Sequence, residues 1–269
     1  MLDILQYEFI QNAIIAGILV SFLSGIIGSL IVVNRMVFLS GGIAHTSYGG
    51  IGLAVYFGFP IFLGASLFAC AAAFLMAFVT LNNRERIDTF IGLIWAVGMA
   101  IGIILIDLTP GYNVDLMSYL FGSILAVSSD DITYMSVLLV AVISIVTVWY
   151  RDILAVSYDS EYAALRGINV KFFYTLILVL SALTVVVAIK VVGLILVIAL
   201  LTIPIYIAEK LSNSLASMMI YAGFLSSIFT LVGLYLSYTY DLTSGATIII
   251  ISALSLGLFL LWEKFRNIS

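Results

Sequence analysis

His45 is the only histidine in a chain of 269 residues, and it stands within Ser40–Gly50, "SGGIAHTSYGG". Neutral imidazole is a common ligand for zinc, manganese and iron. The hydroxyls of Ser40, Thr46, Ser47 and Tyr48 add oxygen atoms beside it. One histidine makes no complete metal site, so it either recruits donors from elsewhere or hands an ion onward. The competing reading is a buried histidine hydrogen-bonded to a carbonyl, tying two helices together. Candidate carboxylates are Asp107 and Asp115, which bracket "LTPGYNV", and Asp241 in "YDLTSG". Hard oxygen donors suit manganese, and mixed nitrogen and oxygen suit zinc or iron. Asp115 serves equally well as a helix cap, and Asp241 as a turn former. Cys70 is the sole cysteine, which excludes an intrachain disulfide and a cysteine-rich metal site. The 8 methionines are scattered, Met99 among them, and read as packing filler.

The elements that must position these residues are set by composition. The chain is 64% hydrophobic and 9% charged, against about 45–50% and about 25% in soluble domains. Too little polar surface remains to cover a globule in water, so the chain is expected to be an all-α, polytopic membrane protein. Its start, "MLDILQYEF", has acidic residues where a cleavable signal would be basic, so the first apolar stretch reads as a retained span. Crossing the hydrocarbon core takes about 20 mainly apolar residues. That rule gives about eight to nine spans, near 9–33, 40–57, 61–81, 89–108, 132–150, 172–189, 192–208, 215–237 and 245–262. The second and seventh are short, and 109–131 has room for a re-entrant segment.

Arg35, Arg84, Arg86, Arg151, Arg166, Lys171, Lys210, Lys264 and Arg266 then fall on one side, leaving Lys190 alone on the other. The positive-inside rule makes the basic side cytoplasmic and places the N-terminus outside. The outer side collects Asp3, Glu8, Asp115, Asp130, Asp131 and Asp241, with Asp107 at the outer end of the fourth span. That is either the default filling of outer loops or a negative vestibule for a cation. His45 lies about 15 Å inward from the level of Arg35, near the bilayer centre. Ionisable side chains at that depth mark a pathway or ligand site by default.

The chain reads as one transmembrane domain over residues 1–269, with a cytoplasmic loop near 151–171. Within that loop "SEYAALRG" predicts a short amphipathic helix carrying Glu161, Ala164 and Arg166 and ended by Gly167. Such a rigid element can seat in a cleft of a soluble partner. No phosphate-binding loop of the Walker type is present, so ATP-driven work would need another polypeptide. Pro204 in "ALLTIPIYIAEK" predicts a kink in the seventh span and a gate hinge there.

"RMVFLSGGIAHTSYGGIGL", "NVDLMSYLFGSILAVSSDD", "YDSEYAALRGI", "VVGLILVIALLTIPIYIAEK" and "GLYLSYTYDLTSGATIII" occur in this order along the chain. Together they resemble the membrane subunit of bacterial and archaeal zinc, manganese and iron uptake ABC transporters. The resemblance implies a permease fold like that of the vitamin B12 importer (type II). It also implies a location in the cytoplasmic membrane, a pathway role for His45, and a coupling-helix role for the segment around Glu161 and Gly167. In that family an aspartate usually stands one helical turn before the histidine, and here Gly41 takes its place. Asp241 matches a family aspartate in an outer loop.

The function this resemblance implies is that of the transmembrane subunit of an ATP-driven importer of divalent metal ions. Zinc stands first because of the imidazole and the missing aspartate at Gly41, with manganese and iron close behind. The subunit would work as a homodimer in the lipid bilayer, with a separate ABC ATPase and an extracytoplasmic metal-binding protein. It would do no covalent chemistry of its own, hold no permanent cofactor and bind no nucleic acid. The alternative is a self-contained secondary carrier or channel, for which Asp107 is the only mid-membrane coupling carboxylate on offer. An intramembrane metalloprotease would need H-E-x-x-H, which a chain with one histidine lacks.

Overall fold

A computed structural model of the chain describes residues 7–82, 87–110, 122–194 and 197–266. Among these residues every regular element is a helix. In chain order they are α1 (Glu8–Val33), α2 (Val37–Phe57), α3 (Ile61–Asn82), α4 (Ile87–Asp107), α5 (Ser129–Val148), α6 (Tyr150–Tyr158), α7 (Ser160–Leu165), α8 (Val170–Val192), α9 (Val197–Leu200), α10 (Ile203–Leu211), α11 (Leu215–Tyr240) and α12 (Ser244–Arg266). A 3₁₀ turn at Ile124–Ala126 precedes α5. Helix is what a bilayer dictates, because backbone groups there have no water to bond and must pair within the segment.

Seven of these helices are long and apolar enough to cross a membrane: α1, α3, α4, α5, α8, α11 and α12. The two shorter expected spans differ in kind. α2 is a continuous helix of 21 residues whose glycines and hydroxyls lower its hydropathy. The stretch expected to be a kinked seventh span is instead broken into α9 and α10, with a turn at Leu201 and Thr202. Pro204 sits in the first turn of α10, where a missing N–H costs nothing, so it starts a helix and does not kink one. The hydroxyl of Thr202 donates to the carbonyl of Ile198 at 2.8 Å and covers one of the acceptors that the break exposes.

The described residues form two compact units. One draws on Met1–Ser29, Met117–Ala141 and Ala188–Ser269, the other on Leu30–Leu116 and Val142–Val187. In the first, α1 and α11 meet through small residues. A Cβ at Gly25 would fall on the backbone of Gly223, and the hydroxyls of Ser21 and Thr230 lie 3.1 Å apart. Lys190, the one basic residue expected outside, pairs with Asp131 at 3.3 Å. In the second unit, Asn34 donates to Ser157 at 2.9 Å and ties α6 to the end of α1. Thr80 and Tyr174 hydroxyls, 3.1 Å apart, join α3 to α8.

Among the described residues, the buried polar side chains are serine and threonine hydroxyls. Most of them donate to the carbonyl one turn back on their own helix, as Ser21, Ser29, Thr46, Thr80, Ser181, Ser227 and Ser252 do. Charge is thus kept to the helix ends and loops of the described residues, and large apolar side chains such as Phe78, Val140 and Leu258 are exposed on the outside of the helices.

Candidate metal-pathway site

α2 carries most of the buried glycine in the second unit. Gly42, Gly49, Gly50 and Gly52 each sit where a Cβ would strike a neighbouring helix. At Gly50 the obstacle is the carbonyl of Gly64 on α3; at Gly52 it is the backbone of Gly102 on α4. Small residues let helix backbones approach closely where lipid offers no hydrophobic drive. The pairings fix register. Gly42 faces Ile91, Thr46 faces Gly98, and Tyr48 faces Gly102, so α2 and α4 run in parallel with α3 antiparallel beside them.

Parallel helices in this register bring His45 level with Trp95. Each stands about eight residues into its helix, roughly 12 Å from the start. Their rings stack with centroids 4.0 Å apart and planes within 16°. The indole Nε1–H donates to the thioether of Met99 at 3.1 Å. Nδ1 of His45 is buried and has no hydrogen-bond partner, as is also true of the Ser40 hydroxyl. At that atom the carbonyl-tether reading of the histidine is therefore not met. An apolar cavity of about 330 Å³ is lined by residues of α2, α3 and α4, Thr46 and Gly98 among them, and not by His45 or Trp95. The Thr46 hydroxyl is committed to the Gly42 carbonyl at 2.6 Å, so this cavity offers an ion nothing.

Of the other sequence candidates, Asp107 lies apart from His45 within the same unit. Asp107 is the last residue of α4 and is exposed, about 18 Å along the helix axis from Trp95. Asp115 and the rest of "GYNVDLMSYLF" fall outside the described residues. Asp241 caps the end of α11 in the left-handed conformation at φ 54°, its N–H donating to the Ser237 carbonyl, so it forms a turn. Among the described residues, no three of His, Cys, Asp and Glu gather as a metal cluster. The arrangement offers one imidazole at mid-helix depth and no clustered set of ligands around it among the described residues.

The cytoplasmic segment has the short helix expected of it. Asp159 caps α7 by accepting from the Tyr162 N–H at 2.9 Å, and Gly167 ends the turn at φ +79°. Ala163 is fully buried against its support, while Glu161, Ala164 and Arg166 are exposed and Leu165 is 88% exposed. The guanidinium of Arg166 lies 5.8 Å over the Tyr162 ring. Leu165 thus stands bare on a capped turn beside the exposed Glu161 and Arg166.

Sequence reasoning missed Trp95 and Met99. The signal was available in their levels: His45 follows Arg35, and Trp95 follows Arg86, by about the same number of residues. Aligning the two spans on their cytoplasmic arginines places both rings at one depth.

Comparison with known proteins agrees along the whole length. The family model described as "ABC 3 transport family" matches residues 6–263. The chain is 48% identical over 267 residues to an uncharacterized membrane protein of Synechocystis sp., covering 99% of this chain and 94% of that one. It is 36% identical over 251 residues to the manganese transport system membrane protein MntC of Listeria monocytogenes, covering 93% and 89%. Among solved structures it resembles PsaBC from Streptococcus pneumoniae in complex with Fab, with a TM-score of 0.86 at 31% identity over 97% of this chain and 93% of that one.

Proposed function

The chain belongs to the ABC 3 transport family, the multi-pass permeases of metal-uptake ABC transporters in the bacterial cytoplasmic membrane, and from that footing we propose that its cargo is manganese. His45 serves as the ligand that receives the ion part-way across. The observation that carries this reading is the only histidine midway along a glycine-packed helix, its buried Nδ1 not spent on a tether to the protein, in a chain related throughout to a manganese permease. Manganese accepts one imidazole among oxygen donors. Zinc, the choice from the imidazole and the missing aspartate, competes for the same nitrogen; among the described residues no group of three His, Cys, Asp or Glu gathers to hold either ion as a resident.

Energy is supplied by a separate ABC ATPase that docks on α7, where Glu161, Ala164, Arg166 and Gly167 present the contact face. An extracytoplasmic metal-binding protein delivers the ion to the acidic outer side, and two copies of the chain form the path. Closing of the ATPase pair moves α7 and switches the path between outward and inward openings. Asp107 and Asp115 serve the outer mouth, and the break before Pro204 gives the chain a joint.

Liposome flux tests this directly. Manganese entry is expected only when the chain is reconstituted with its ATPase and ATP, and excess manganese should suppress it better than zinc or iron does. Flux from the chain alone would establish a secondary carrier or channel in its place, and suppression by zinc alone would reassign the cargo.

A further inference from the structure

A metal-binding histidine ordinarily donates its second ring N–H to a carboxylate, carbonyl or water, and that bond sets the ring's orientation. His45 lacks this support. Its Nδ1 is buried without a partner, and the residues one turn away on its own helix are Gly41 and Gly49. What holds the imidazole is a face: the indole of Trp95 lies parallel to it, centroids 4.0 Å apart. The indole is itself fixed by the N–H···S bond to Met99 one turn along α4. Close contacts on either side, the Ile91 side chain against Gly42 and Thr46 against Gly98, resist sliding of α4 past α2.

We propose that Trp95 is the positioning residue of the ion path, with Met99 as its lock. The indole keeps the imidazole in a single orientation. Its negative π face also stabilises the positive charge that the ring shares while it ligates a divalent cation. Aromatic support thereby takes the place of a hydrogen-bonded carboxylate. This role rests on His45 being the ligand, and it differs from packing in what it does to affinity. A tryptophan that merely fills space alters how much permease is made, whereas a positioning residue alters how tightly the ion is held.

The test uses cells that express the whole transport system, with labelled manganese and with permease abundance measured in the membrane. Trp95→Leu is expected to raise the half-saturating manganese concentration about 5- to 30-fold, with maximal uptake per permease within about twofold. Trp95→Phe, which keeps a stacking ring, should stay within about threefold of the parent. A spectroscopic arm uses the purified full chain carrying Trp149→Phe and Trp262→Phe, so that Trp95 is the one emitter left of 3 tryptophans. Manganese, a paramagnetic ion, should quench that emission saturably, and His45→Ala should abolish the quench. Unchanged half-saturation in Trp95→Leu, or a quench that survives His45→Ala, overturns the proposal. If His45→Ala leaves uptake intact, the ligand reading falls first; if it abolishes uptake while Trp95→Leu changes nothing, only the role of Trp95 falls.

Discussion

Gly98→Ala puts the closeness of α2 and α4 to a quantitative test. A Cβ at position 98 would lie 2.6 Å from Cγ2 and 2.9 Å from Cα of Thr46, where ordinary contact begins at 3.4 Å. The methyl must therefore gain about 0.8 Å against the side chain (3.4 − 2.6) and about 0.5 Å against the backbone (3.4 − 2.9). Overpacking of this kind costs about 1–3 kcal/mol. Thr46→Ser removes Cγ2 and keeps the hydroxyl that bonds the Gly42 carbonyl. It relieves the larger clash and leaves the smaller. In the Gly98→Ala background it should restore ~1 kcal/mol and leave the remainder, a coupling of the size seen between touching residues. The assay is a double-mutant cycle by denaturant unfolding of the purified chain in detergent, run beside manganese uptake per permease. A neutral Gly98→Ala, or a cycle with no coupling, would refute the close packing of α2 against α4.

Gly25→Ala drives a methyl onto the Gly223 backbone and should cost about 1–3 kcal/mol, whereas Gly257→Ala meets nothing within 4 Å and should be neutral or slightly stabilising; thermal unfolding distinguishes them. At Gly167, φ +79° with open space around it means that alanine adds strain without a clash. Gly167→Ala should lower stability by ~1 kcal/mol and weaken co-purification of the ATPase, with Gly167→Asn milder on both. Asp131 accepts from the N–H and hydroxyl of Ser128 as well as from Lys190. Lys190→Met, removing a part-exposed ion pair, should cost about 0.2–1 kcal/mol and less in high salt. Asp131→Ala, removing the cap too, should cost ~1 kcal/mol more; equal losses in unfolding would show that the cap contributes nothing.

The helical class, most spans and the cytoplasmic helix are readable from local pattern, because bilayer thickness and backbone satisfaction act on each segment independently. α2 reads as short in the sequence because glycine usually weakens a helix. Among tightly packed helices without competing water, those same glycines are what let it pack. The break at Leu201 and Thr202 leaves no mark, since the run is apolar on both sides and its proline lies beyond the break. Trp95 escapes notice for a different reason. Its importance comes from an encounter between residues distant in sequence, and no periodicity within α4 announces it. The exposure of Asp107 at the end of its helix follows from where that helix stops, a boundary that hydropathy places only loosely.

Where helices touch through main chain, there is no side-chain slack to absorb a shear. α2, α3 and α4 meet in this way at Gly50 with Gly64 and at Gly52 with Gly102. Rotamers cannot re-sort to accommodate small displacements there, so sliding one helix along another means prising the trio apart. The trio is therefore expected to resist shear as one body, with imidazole and indole held inside it. The flexing that transport requires falls to the joints at its margins.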